Sequence, residues 1–182
     1  MKTIILDAGH GGMIDGKYQT KGKRSPVWED GSVLYEGECN RQIKSRVMEL
    51  MTFNKMNPEQ VDISLSERVK RANKVANGLY ISIHSNAGGG TGCEVFVSNN
   101  CSDKSRAMAQ VFEDLYKPIF DYEKWRGIKS SDFYVIKNTR MPAVLIESFF
   151  MDTERECKKY LMTKAGRYMI AMWIFESIKK MV

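Results

Sequence analysis

Apolar positions recur along this chain with two periods, and the switches between them mark out its elements. Residues 2–7 carry the run Ile4, Ile5, Leu6 and read as a short buried strand, followed by the turn Ala8-Gly9-His10-Gly11-Gly12. From residue 11 to about residue 35 no periodicity is sustained, and Gly, Lys, Ser, Pro26 and Asp30 dominate. A loop of that length inside a compact domain is usually functional. Ile43, Val47, Leu50 and Met51 then recur at three- and four-residue spacing and predict a helix. Residues 53–61, with Asn54, Asn57 and Pro58, read as loop. Ser64 stands three residues before Glu67, the pattern of a capping box. Leu65, Val69, Ala72, Val75 and Ala76 give that second helix one apolar face, and Asn77-Gly78 closes it.

Residues 79–83 predict a strand ending at His84, Gly88-Gly89-Gly90 a flexible connector, and residues 94–97 another strand. Residues 107–120 form an amphipathic pattern interrupted by Pro118, and residues 133–136 and 143–146 read as two further strands. A last helix is expected from about residue 163, with Ala165, Met169, Met172, Phe175 or Ile174, and Ile178 inward. Strands and helices alternate with few hairpin signals, which predicts an α/β layered domain built on a largely parallel sheet. No repeat or boundary divides the chain, so residues 1–182 are read as one domain, long enough to bury a core without staples.

Composition narrows the picture. With 43% hydrophobic and 27% charged residues the chain has the make-up of a soluble globular protein, and no stretch approaches the roughly 20 apolar residues that span a bilayer. The N-terminal apolar run stops at Asp7, well short of the about 7–15 residues of a signal peptide core, so the expectation is a protein made in the cytoplasm without an export signal. The net charge of +6 could favour anionic partners, but the basic residues are interleaved with acids. Only Lys17, Lys21, Lys23 and Arg24 cluster, and a basic stripe interleaved with aromatics is not evident, which argues for a solvated surface and against nucleic acid. The four cysteines are scattered without a CxxC pair and read as free thiols.

The chemistry concentrates at strand ends. His10 and His84 are the two histidines of the chain, and each follows the carboxyl end of an expected strand, where α/β sheets bind ligands. A lone histidine in such a place is more often an ordinary hydrogen-bonded loop residue; two of them point to one shared site. Glu147 finishes the apolar run Pro142-Ala143-Val144-Leu145-Ile146, where a carboxylate costs free energy unless it faces a cleft or is paired. Glu36 or Glu38, at the head of the first helix, is a fourth candidate, although the helix dipole alone favours carboxylates there. Two histidines and a carboxylate make a catalytic zinc set with one position open for water, and a second, unligated carboxylate can shuttle the proton. GxSxG, GxxxxGKS and GxGxxG motifs are absent from the sequence.

Four blocks in order carry a family resemblance: Ile5-Leu6-Asp7-Ala8-Gly9-His10-Gly11-Gly12, Ser64-Leu65-Ser66-Glu67-Arg68-Val69 with Ala72-Asn73, Ser82-Ile83-His84-Ser85-Asn86-Ala87, and Met141-Pro142-Ala143-Val144-Leu145-Ile146-Glu147. Together they resemble the type 3 family of zinc-dependent N-acetylmuramoyl-L-alanine amidases of bacterial cell-wall hydrolases and phage endolysins, over residues 3–156. The resemblance implies a mixed, mainly parallel sheet flanked by helices (phosphorylase/hydrolase-like), with Zn2+ held by His10, Glu36 and His84 and with Glu147 as the catalytic carboxylate. Glu36 takes the third ligand role because it stands four residues before Asn40, with Glu38 as substitute. The implied reaction is hydrolysis of the amide between N-acetylmuramic acid and L-alanine of peptidoglycan. Peptidoglycan is the expected partner, with neither nucleic acid nor membrane, and a monomer is expected. Arg68 is expected to be structural, and Asn86 to shape a loop or touch substrate. Residues 51–63 lack the second strand and Thr-Arg-Asp-like turn usual in the family, and the loop at residues 12–35 is long for its simplest members. Without a separate wall-binding domain or an export signal, the chain suits a phage endolysin that acts on the cell wall. The competing readings are a zinc peptidase cutting within the stem peptide and a non-catalytic wall-binding domain.

Overall fold

The computed structural model describes residues 2–20, 23–51 and 62–182; the loop expected at residues 53–61 lies outside them, as does Lys21. Among the described residues, seven strands and six helices follow in the order β1 (Thr3–Ala8), β2 (Gly12–Ile14), β3 (Lys17–Gln19), α1 (Glu36–Leu50), α2 (Leu65–Ala72), β4 (Gly78–Asn86), β5 (Cys93–Val97), α3 (Asp103–Phe120), β6 (Trp125–Ser130), α4 (Tyr134–Asn138), β7 (Ala143–Phe150), α5 (Glu154–Glu156) and α6 (Lys164–Met181). A π-helical turn, Cys157–Leu161, separates the last two helices. Five strands form one sheet in the order β1-β4-β7-β5-β6. The pairs β1–β4, β4–β7 and β5–β6 are parallel and β7–β5 is antiparallel, so the sheet is mixed and mainly parallel.

Alternation along the strands sorts side chains into two cores. On one face Ile4, Leu6, Ile81, Ile83, Val95, Val97, Val144 and Ile146 pack against α1, α3 and α6, around the fully buried Trp173 and Phe112. On the other, Tyr80, Ala143 and Leu145 pack with Val69 and Ala72 of α2 and with Val135 and Ile136 of α4. Ser82, His84, Glu147 and Glu94 share that second face by strand period. Cross-strand register aligns His84 with Glu147 and Glu147 with Glu94, so three ionisable residues stand in a row across β4, β7 and β5.

Several expectations shift. The run at 133–136 is helical from Tyr134 on, with Phe133 as N-cap: Asn138 Nδ2 donates to the Tyr134 carbonyl and Thr139 Oγ1 to that of Val135, closing a short helix that a four-residue apolar run cannot distinguish from a strand. The loop at 12–35 holds the small β2–β3 hairpin and an Arg24–Tyr35 bridge. Helix α3 begins at Asp103, capped by Ser102 Oγ on Ser105 N, and runs through Pro118 rather than stopping there. Ser64 caps α2 by accepting from Glu67 N, but the Glu67 carboxylate turns to Arg71, so only half of the capping box forms; the helix ends at Ala72 and Leu65 is exposed. In α6 Ile174 and Ile178 face inward as expected, together with Gly166, Ile170, Ala171, Trp173 and Ser177, whereas Ala165 is exposed and Met169 and Met172 are half-buried; a Cβ at residue 166 would run into Tyr160 and Lys159. All four cysteines are free. Among the described residues no helix is long and apolar enough to cross a membrane.

Candidate metal centre

The carboxyl edge of the sheet brings the sequence candidates together. His10 follows β1, in a left-handed backbone conformation (φ 62°) that opens the β1–β2 turn. Helix α1 holds this turn in place: Asn40 Nδ2 donates to the Gly9 carbonyl at 3.1 Å, and Arg41 donates to the carbonyls of Gly11 and Met13. Thr20 Oγ1 accepts from Gly11 N at 3.0 Å and itself donates to Asp62. A Cβ on Gly37 would come within 2.5 Å of the His10 carbonyl oxygen, so the first turn of α1 sits against the loop only because residue 37 is glycine. That contact carries Glu36 to the edge of the sheet.

His10, Glu36 and His84 each present one donor atom such that all three lie within 4.8 Å of one another. His84 Nδ1 is 3.2 Å from Glu36 Oε1, and His10 Nε2 is 3.6 Å from Glu36 Oε2. The imidazoles meet edge-on with centroids 5.0 Å apart. Donors about 2.0–2.1 Å from one tetrahedral metal stand about 3.3 Å from each other, so the group is close to the spacing a metal ion would draw together, with the two histidines facing different oxygens of Glu36. Glu36 is almost fully buried (2% exposed) and its Oε1 also accepts from Ser85 N at 3.2 Å. Glu38 is not part of the group: its Oε1 accepts from Met13 N.

The electrostatics follow from this crowding. Burial pushes the Glu36 carboxyl up, but the hydrogen bond and charge of His84, with the charge of His10, hold it below the usual range. Burial lowers His10 to about 4 against the pull of Glu36, so at neutral pH the ring is uncharged and one of its nitrogens keeps a lone pair for a metal. Burial also disfavours charge on His84, yet Glu36, Glu147 and Asp7 outweigh it and raise its pKa. Glu147 is raised to about 7 by burial, with Glu36 and Glu94 adding to the rise and His84 opposing it. Its Oε2 is buried without a hydrogen-bond partner among the described residues, a costly state for a carboxylate that nothing else engages.

Behind His84 lies a network that the sequence reading missed. His84 Nε2 is 3.2 Å from Ser82 Oγ, which donates to Asp7 Oδ2 at 3.0 Å; Tyr80 OH donates to the same oxygen at 2.8 Å. Arg68 ties Asp7 to Asp62 and also donates to the carbonyls of Ala8 and Ile63, which is the structural part expected of it. Asn86 shapes its loop, accepting from Ala87 N and donating to Glu94 Oε1 at 2.8 Å. The signal for Asp7 was available, since it is the one charged residue in an otherwise apolar strand. A Cβ on Gly9 would fall 2.1–2.5 Å from the His84 ring, so this glycine makes room for the imidazole.

Two histidines and a buried carboxylate converge at the carboxyl edge of a mixed α/β sheet beside a second acid, a group that could hold a metal ion in a hydrolase. The chain belongs to the N-acetylmuramoyl-L-alanine amidase family, whose sequence pattern matches residues 4–180. It is 32% identical over 166 residues to an endolysin of Bacillus phage SPP1, covering 85% of this chain and 57% of that protein. It is 26% identical over 159 residues to the N-acetylmuramoyl-L-alanine amidase CwlM of Bacillus licheniformis, covering 87% of this chain and 60% of the relative. The chain thus spans somewhat over half the length of these two relatives. The crystal structure of an N-acetylmuramoyl-L-alanine amidase from Clostridium difficile 630 superposes with a TM-score of 0.82 at 27% identity, over 98% of this chain and 95% of that one.

Proposed function

We propose that this chain hydrolyses the amide joining N-acetylmuramic acid to the L-alanine of peptidoglycan, with a zinc ion held by His10, Glu36 and His84 and the proton carried by Glu147. The observation that carries the reading is the convergence of three donors within 4.8 Å beside a carboxylate whose buried Oε2 has no protein partner. A zinc ion in this group supplies Lewis-acid polarisation of the scissile carbonyl and lowers the pKa of water. The chain's own residues do the rest. Glu147, with an affinity for protons near neutrality, takes a proton from the attacking water and returns it to the departing amine. Glu36 balances cationic charge at the centre, and Ser82 with Asp7 fixes the ring of His84. Residues 1–182 act in this reading as one catalytic unit on the cell wall, as a monomer that needs neither nucleic acid nor a membrane.

The test is digestion of purified peptidoglycan followed by mass analysis, with and without chelation and zinc restoration. Peptide-free glycan and stem peptides with a free L-alanine amine are expected, abolished by chelation and restored by zinc. Cleavage inside the stem would make the protein a peptidase, and binding without released amines would make it a wall-binding domain.

A further inference from the structure

Strand β6 departs from regular pairing at one point. Two steps along β5, from Cys93 to Val95, are matched by three along β6, from Trp125 to Ile128, so a bulge falls at Arg126 and Gly127. Gly127 takes φ 93°, the conformation such a bulge demands and one that L side chains rarely adopt. The consequence is visible in the side chains. Trp125 and Ile128, three residues apart, both pack on the core beneath α3 and α6. Arg126 and Lys129, also three apart, both reach the opposite face and meet at one oxygen, Glu94 Oε2. An unbulged strand would put residues three apart on opposite faces.

This arrangement sits beside the proposed catalytic acid, since Glu94 is the register partner of Glu147. Glu94 is 4% exposed, and its other oxygen is taken by Asn86. Two cations therefore face one carboxylate, leaving one positive charge in excess. Arg126 spends only Nε on Glu94, at 2.6 Å, and its guanidinium lies 4.9 Å over the Phe150 ring. Neither of its Nη nitrogens has a partner among the described residues, and the side chain is 25% exposed. A guanidinium held by Nε and a ring face, with both Nη groups open, presents the donor pair that suits a carboxylate.

We propose that Arg126, oriented by Glu94 and assisted by Lys129, is a specificity-determining residue that binds a carboxylate on the peptide side of the substrate. The inference rests on the amidase reading. In that substrate the lactyl carboxyl is consumed in the scissile amide, so an anion near the cut belongs to the peptide. Strand β6 lies two strand spacings, roughly 10 Å, from β7, and Arg126 leans back toward Glu94. An extended peptide advances about 3.3–3.6 Å per residue, so an arginine that leans back from a strand roughly 10 Å away meets the second or third residue, and the recognised group is a free carboxylate there rather than a carboxamide.

The experiment compares hydrolysis of two synthetic muramoyl-peptides that differ only in that group, carboxylate or carboxamide, by wild type, Arg126→Gln, Arg126→Lys and Lys129→Gln. Wild type is expected to favour the carboxylate by roughly tenfold to a hundredfold in kcat/KM, mostly through KM. Arg126→Gln should bring the ratio close to one, and Arg126→Lys and Lys129→Gln should leave it intermediate. The ratio cancels any general loss of activity, and the wild-type ratio stands if a variant fails to fold. Equal rates on both substrates in wild type would overturn the subsite and leave the amidase reading intact. A preference that survives in Arg126→Gln would overturn it too. Hydrolysis of neither substrate by the zinc-loaded wild type would refute the amidase reading, and the subsite with it.

Discussion

Replacing Glu147 with glutamine separates its electrostatic cost from its chemical use. The side chain gains nothing from folding as a carboxylate: burial raises its pKa from 4.5 to about 7, and Oε2 has no partner. An acid with a raised folded pKa binds more protons in the native state than in the unfolded one between those two values, so stability falls as pH rises through that window and stays low above it. The gap corresponds to an upper bound of roughly 3 kcal/mol. The rest of the side chain is only half-buried, so on the order of 2 kcal/mol is the working figure. In chelated protein, Glu147→Gln should match wild type near pH 4.5 and exceed it by about that amount at pH 8.5, read by urea unfolding at each pH. Saturating zinc should narrow the difference, because a cation favours the carboxylate. Hydrolysis by the variant should fall about 10²–10⁴-fold with its zinc retained. Parallel stability curves in the two proteins would refute the desolvated-acid argument, and loss of zinc from the variant would make Glu147 a ligand instead of the proton carrier.

Three further outcomes follow from the network around His84. Ser82→Ala removes the group that holds Nε2, and zinc affinity measured against a chromophoric chelator should drop about 10–100-fold, with little change in unfolding midpoint. Asp7→Ala leaves the buried Arg68 (8% exposed) with Asp62 as its remaining carboxylate, and should destabilise by about 3 kcal/mol, the lower end for a broken buried pair, in denaturant titration. Gly9→Ala drives a methyl into the His84 ring, so zinc binding should weaken while far-UV circular dichroism stays native; unchanged affinity would show that the ring has room the contacts deny.

What was legible in the sequence, and what was not, divides along a physical line. Strands β4 and β7 were readable because they are buried on both faces and their apolar runs lead to His84 and Glu147, and β1, an edge strand buried at alternate positions, because its compact run Ile4-Ile5-Leu6 leads into the turn that carries His10. Strand β6 was missed because it is a half-exposed edge strand whose bulge breaks the alternation, spacing its core residues Trp125 and Ile128 three apart. The start of α1 was placed by its acids, Glu36 and Glu38, and not by apolar period: its first turn, Glu36-Gly37-Glu38, is polar and glycine-bearing, yet Glu36 and Gly37 are buried. The residues proposed to touch the metal announce themselves by type, since histidines are scarce here, and Asp7 stands out as the one charge in its strand. Ser82 and Glu94 do not, for each is an ordinary polar residue within its own strand, and the partners of all three are hidden. Their meaning arises only from register, Asp7 beside Ser82 and Glu94 beside Glu147, and register belongs to pairs of strands far apart in the chain. A reading along one strand finds the groups that act directly; the groups that orient them become visible only when the sheet is assembled.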